Sequence, residues 1–340
     1  MSPTRRLPPD FSHSAAYPLF AFDAAAGRGW VLHFEPADYR RASFLDQRAL
    51  HHRDIRGWTL SLAEIEAELV APAVPAPLHW IFHIGHCGSS LVSRLMDTLE
   101  PVLGLREPLP LLTLAQAAGD PATQAWWGPV LRLLNRRFNE DQVVLVKPTS
   151  VLTTVAARLL AQAPGQACLL WIDLRSWLAT MLRDDGLRDD GLATEALRLT
   201  GFGPEELPAA SGDGARLARL WLAEQLRWRR LSADPALAGR LIDLDFAALL
   251  ADPAARSAEL AAHYGLAVPA DWAARIAASG LLDRYAKDQS QPFDAAARER
   301  ELAAAAHAHA PQIEAGLAWA AAALTTLEAD GLRPRLGLGD

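Results

Sequence analysis

The sequence predicts a three-layer α/β domain built on a central parallel sheet, continued by a helical C-terminal region. From Leu78 onward, short apolar runs alternate with helix-length amphipathic segments, the pattern of buried strands covered by helices on both faces. The 340 residues are 51% apolar and 21% charged, enough for a sizeable core and too apolar for a disordered chain. Beyond residue 250 the chain is rich in alanine at helical spacing.

In chain order, residues 1–77 form an N-terminal extension. Trp30 to Phe34 reads as a short strand, Ser61 to Val70 as a helix, and the alternating prolines of APAVPAP as a linker. Residues 78–250 form the α/β core, with strands at HWIFHIG, VLGLREP, QVVLVKP and QACLLWIDL. Helices fall between them at SSLVSRLMDTLE, WWGPVLRLLNRRF, VLTTVAARLLAQ and SWLATMLRDD. A long helix over Gly214 to Arg230 and a strand over Arg240 to Leu244 close the core, and residues 251–340 pack on it as helices with a break at AKDQSQPFD. The tandem RDDGL, at Arg183–Leu187 and again at Arg188–Leu192, predicts a mobile solvated loop, because its glycines and aspartates lack the spacing of a calcium loop.

Composition narrows the partners. A formal charge of −7 argues against a broad nucleic-acid footprint, and no run approaches the ~20 apolar residues of a membrane span. The first residues carry positive charge without the apolar stretch of a secretion signal. Two cysteines, Cys87 and Cys168, read as free thiols of a reducing compartment, so a cytoplasmic address is expected. His83, His86 and Cys87 sit too close in one turn for a tetrahedral metal site, and no metal is expected. Enzyme, small-ligand binder and scaffold remain.

The chemistry concentrates in FHIGHCGSSL, residues 82–91, which ends a strand and opens a helix. A strand–turn–helix with Gly85 and Gly88 in the turn converges backbone N–H groups on an anion, and the helix N-terminus adds partial positive charge. Ser89 and Ser90 can cap the helix or donate hydroxyls to phosphate oxygens. The loop is P-loop-like without being a Walker A motif, which would need Gly at His83 and Lys at Ser89. Cys87 beside His86 at a helix N-terminus also allows a nucleophilic thiol, although the arginine of a phosphatase loop would stand at Ser93. Glu107 ends the next strand, 21 positions after His86, and Lys147 ends another; strand C-termini in a parallel sheet face one crevice. A carboxylate there can take a proton from an attacking hydroxyl or amine, and a cation can neutralise developing negative charge.

HIGHCGSSLVSRLMD followed by VLGLREP resembles the 5′-phosphosulfate loop and following strand of the sulfotransferases that use 3′-phosphoadenosine 5′-phosphosulfate (PAPS), and the chain reads as a divergent bacterial-type member. The resemblance covers about residues 79 to 183. It implies that Gly85, His86, Cys87, Gly88, Ser89 and Ser90 cradle the donor's 5′-phosphosulfate, with His86 on the family's basic position. It implies that Glu107 is the general base and that Lys147 and His86 stabilise charge as sulfonate passes from PAPS to a hydroxyl or amine of a small-molecule or peptide acceptor. The family's 3′-phosphate motif falls on Ile172, where it has Arg, and on Thr180, where it has Ser; Arg175 or Arg183 would then supply the charge from the helix. Arg284 and Lys287 stand where the family has a C-terminal basic loop. The alternative is a non-catalytic nucleotide-binding or scaffolding protein that keeps the fold and has lost donor recognition.

Overall fold

The computed structural model describes residues 7–50, 56–69 and 76–338; the start of the N-terminal arm and most of APAVPAP lie outside the described residues. Five strands form the central sheet: β4 (Leu78–His83), β5 (Val102–Arg106), β6 (Val143–Lys147), β7 (Ala167–Trp171) and β8 (Leu241–Asp245). Their order is β5-β6-β4-β7-β8 and every pairing is parallel. β4 is central and buried at all six positions, which explains its unbroken run of large side chains. The chain winds to β5 and β6 on one side of β4 and to β7 and β8 on the other, so the winding reverses at the C-terminal end of β4, where an α/β sheet opens a crevice for ligands.

The N-terminal segment adds a small antiparallel sheet of β1 (Leu19–Asp23), β2 (Arg28–Leu32) and β3 (Gly57–Ser61). Two buried arginines fasten it to the core. Arg106, at the end of β5, pairs with Asp97 and donates to the carbonyls of Tyr39, Arg40 and Ala42. Arg136 donates to the carbonyls of Phe11, Tyr17 and Leu133. Since an unpaired buried polar group costs about 1–3 kcal/mol, satisfying these carbonyls helps tie the N-terminal segment to the core. On the C-terminal side, the long helix Asp213–Ala233 packs against the helix Ala310–Thr326 so closely that a Cβ on Gly214 would lie 1.9 Å from the Gln312 carbonyl oxygen. A short hairpin, β9 (Arg284–Tyr285) and β10 (Asp288–Pro292), precedes the helix Ala295–Ala308.

The RDDGL tandem is not a loop. Asp184 caps a helix over Asp185–Ala193 by accepting from the Leu187 N–H at 3.0 Å, and Arg188 pairs with Asp185 and Asp189 at 2.8 and 2.9 Å. Gly191 packs where a Cβ would come within 2.7 Å of the Met181 Cε, so tertiary contact outweighs the glycine's preference for a turn. Among the described residues no cluster of His, Cys, Asp or Glu could hold a metal ion, and no helix is long and apolar enough to cross a membrane.

Candidate functional site

The loop from His83 to Ser90 sits at the C-terminal end of β4, where the winding reverses. Gly85, His86 and Gly88 all adopt left-handed backbone, at φ of 87°, 51° and 84°. Such turns aim successive N–H groups to one side. The Cβ that any other residue would bring at Gly88 falls 2.1 Å from the Phe246 ring, so only glycine lets that ring lie on the loop. Trp177 fixes the other flank by donating its indole N–H to the Gly85 carbonyl at 2.9 Å. His83, standing where a Walker loop has glycine, is a brace: its Nδ1 accepts from the Gly85 N–H at 3.1 Å and its Nε2 meets the Pro148 carbonyl at 2.9 Å. That pairing defines the neutral tautomer with the proton on Nε2, and burial holds its pKa well below the ordinary value.

The serines do not cap. Gly88 is the N-cap of the helix Ser89–Met96 and makes no side-chain bond, which leaves Ser89 and Ser90 in the first turn. The Ser90 hydroxyl is buried with no hydrogen-bond partner among the described residues, beside the first N–H groups of the helix, which have no intrahelical acceptor. Cys87 turns its thiol inward to the Leu170 carbonyl at 3.6 Å, and burial pushes its pKa up to about 12. A thiol so held is not a nucleophile, and what Cys87 offers an anion comes from its main chain.

Glu107 and Lys147 meet across neighbouring strand ends. Glu107 takes left-handed backbone, φ 51°, its N–H donates to the Lys147 carbonyl at 2.7 Å, and its Oε1 accepts from the Lys147 ammonium. A non-glycine residue held in that conformation stores strain of the kind found at functional sites. The Lys147 side chain is 1% exposed and that of Glu107 20%, so the carboxylate faces the crevice and the ammonium lies behind it. Burial lowers the Lys147 pKa and Glu107 opposes the shift.

Two covering segments complete the lining. From the N-terminal side, Phe44 places its ring centroid 5.6 Å from the Lys147 Nζ, 5.9 Å from the Lys287 Nζ and 3.5 Å from the Arg48 Cζ. Such contacts ease the repulsion among neighbouring cations. From the C-terminal side, the β9–β10 hairpin delivers Lys287. Arg94 ties the two together: its Nε donates to the Ala286 carbonyl at 2.8 Å and its Nη2 to the Ser43 Oγ at 2.9 Å, while that hydroxyl donates to the Lys287 carbonyl at 2.8 Å. Arg198 lies against the outer turn, donating to the Ser150 Oγ at 2.5 Å.

His86 is half-buried among these charges. Burial, then Lys287, Arg198, Arg183 and Lys147, push its pKa down to about 3, so it is a neutral imidazole at physiological pH. The positive charge expected of His86 resides instead on the lysines and arginines around it. Ile172 is core, its carbonyl accepting from the Trp221 indole at 3.0 Å. Thr180 spends its hydroxyl on the Ser176 carbonyl at 2.9 Å. Arg175 does not reach the loop: it donates to the Gly337 carbonyl at 3.0 Å and pairs with Glu314 at 2.8 Å. Its place on the helix Leu174–Leu182 turns it toward the C-terminal segment. Arg183 pairs with Glu301 at 2.5 Å, and on that same helix, Ala295–Ala308, Arg298 lies over the Phe246 ring at 5.4 Å. Arg284 is exposed at the start of the hairpin. The structure thus brings together the loop, Glu107, Lys147 and Lys287. Arg198, Phe44 and Arg48 join them without a motif to announce them, and only Lys287's place before the break in the C-terminal helices gave a signal.

No family model matches the sequence, and no curated protein matches it. Among solved structures the chain is similar to a sulfotransferase from Alicyclobacillus acidocaldarius, at 14% identity over 77% of this chain and 97% of that one, with a TM-score of 0.40. It is similar to the sulfotransferase domain from the curacin biosynthetic pathway at 13% identity, covering 66% of this chain and 83% of that chain, TM-score 0.41. A third is the sulfotransferase domain of the Synechococcus PCC 7002 olefin synthase, at 12% identity over 70% and 97%, TM-score 0.36.

Proposed function

We propose that this chain is a sulfotransferase that moves a sulfonate from PAPS to a hydroxyl or amine acceptor. The observation that carries the reading is the left-handed loop, with its unpartnered Ser90 hydroxyl, opening beside the Glu107–Lys147 pair. The loop N–H groups and helix N-terminus hold the 5′-phosphosulfate. The acceptor oxygen or nitrogen attacks sulfur in line, a new bond to sulfur forms, and the bond from sulfur to the bridging phosphate oxygen breaks. Glu107 receives the acceptor proton, and 3′,5′-ADP leaves with the electron pair of the broken bond. Lys147 and Lys287, in place of the neutral His86, balance the negative charge that grows on the bridging oxygen. The donor's 3′-phosphate faces Arg183 and Arg298, whose guanidinium lies over the Phe246 ring.

Transfer of labelled sulfonate from PAPS to a panel of alcohols, phenols and amines tests the reading. Absence of both transfer and binding of PAPS or 3′,5′-ADP refutes it. The apolar Ile172 and the diverted Arg175 favour a second reading, a nucleotide-binding protein without turnover. Calorimetric binding of 3′,5′-ADP with no transfer to any acceptor selects it.

A further inference from the structure

We propose that Arg198 contacts the anion held by the loop, supplying positive charge from outside the loop. The proposal rests on the sulfonate-transfer reading for the identity of that anion, and on geometry for the residue. Arg198 ends the one-turn helix Glu195–Arg198 that follows the RDDGL helix. Its guanidinium runs inward, 6% of the residue exposed, between the helix Asp213–Ala233 and the turn after β6. Three of its five N–H groups are held: Nε donates to the Thr194 Oγ1 at 2.9 Å, Nη1 to the Glu224 Oε1 at 2.8 Å and Nη2 to the Ser150 Oγ at 2.5 Å. Among the described residues one N–H on each Nη is left for another acceptor.

Gly85 shows how near the loop the guanidinium lies. A Cβ built there would crowd the Ser150 Oγ at 3.0 Å and would touch the Arg198 Nη2 at an ordinary contact distance of 3.6 Å, so the guanidinium lies directly against the loop, beside the hydroxyl it holds. Glu224 supplies the single carboxylate grip. Its Oε1 holds Arg198, while its buried Oε2 has no hydrogen-bond partner among the described residues and stands 3.8 Å from the Arg227 Nε. A buried ion pair kept only for stability is replaceable by apolar packing at little cost. One that leaves donors unspent beside a loop of converging N–H groups suits an anion that arrives later. Glu224 is then a positioning residue that also restrains affinity, since its charge opposes any anion Arg198 would hold.

Two substitutions move in opposite directions. Arg198→Met is expected to weaken 3′,5′-ADP binding at least tenfold by calorimetry, with the thermal midpoint recorded alongside. Glu224→Gln keeps the oxygen that accepts from Nη1 and removes its charge; it is expected to tighten 3′,5′-ADP several-fold and to steepen the salt dependence. Unchanged binding in Arg198→Met overturns the proposal. If that variant does not fold, Glu224→Gln decides, and an unchanged or weaker affinity overturns it. If the wild type binds neither PAPS nor 3′,5′-ADP, the sulfonate-transfer reading fails by itself. Inorganic pyrophosphate then serves as the probe for the same variants, and failure of the wild type to bind it overturns the role of Arg198.

Discussion

Removing either member of the Glu107–Lys147 pair should have unequal consequences. Lys147 is 1% exposed and Glu107 20%. Glu107→Leu leaves an ammonium in the interior with no counter-charge, with the Arg106 guanidinium close enough to disfavour it further. Losing one partner of a buried pair typically costs about 3–5 kcal/mol, and the partial exposure of Glu107 places this case near the lower end. Lys147→Met fills the same space with an apolar chain and leaves a carboxylate that already meets solvent, so its cost should stay below about 1 kcal/mol. The expected gap is therefore about 2–3 kcal/mol, read from urea unfolding followed by the fluorescence of the 11 tryptophans. The pH response distinguishes the variants again. Burial has already lowered the Lys147 pKa, and without Glu107 it falls further. The unfolded chain then binds more protons than the folded one between that depressed value and the ordinary 10.5. Over that window the stability of Glu107→Leu should rise with pH, at up to about 1.4 kcal/mol per unit. Lys147→Met should show no such rise from this site. Equal destabilisation by both substitutions, or a flat profile for Glu107→Leu, would refute the buried-ammonium account.

Two further outcomes follow from the loop. Gly88→Ala adds a left-handed penalty of about 1–2 kcal/mol and drives a methyl into the Phe246 ring, itself 5% exposed, so the urea midpoint should fall and 3′,5′-ADP affinity should drop. Gly88→Ala combined with Phe246→Leu should recover part of the midpoint, and no recovery contradicts the contact. Cys87 and Cys168 are both buried, with pKa values pushed up to about 12 and well above the ordinary range, so neither should react with a thiol reagent at pH 8 until the chain opens. Rapid labelling of one thiol in the native protein contradicts that burial.

What the sequence made legible was local or followed from sheet geometry. Gly85 and Gly88 after an apolar run mark the turn at the end of β4, and the rule that parallel strands share a crevice brings Glu107 and Lys147 together. The RDDGL tandem is misleading because glycine and aspartate favour turns by propensity, whereas here Asp184 caps a helix and Gly191 makes room for Met181. Arg198 and Phe44 carry no local signal: one is placed by Glu224, 26 residues later, the other by cations from three different segments. The charge of His86 was unreadable for the same reason, since its proton affinity is set by neighbours that only tertiary packing assembles. Arg175 shows the converse, a suitably charged side chain one helix face away from use.

The clamp made by Arg94 makes the order of assembly visible. The bond between Ser43 and the Lys287 carbonyl spans 244 positions, and that between Arg94 and the Ala286 carbonyl spans 192. Contacts that distant are among the last whose closure entropy folding recovers. During synthesis the sheet and the loop can form while Lys287 is still unmade, and a partly built chain would present loop amides without their full cationic cover. Affinity for a polyanion is therefore a gauge of completion: it should rise only when the two covering segments have met over Phe44.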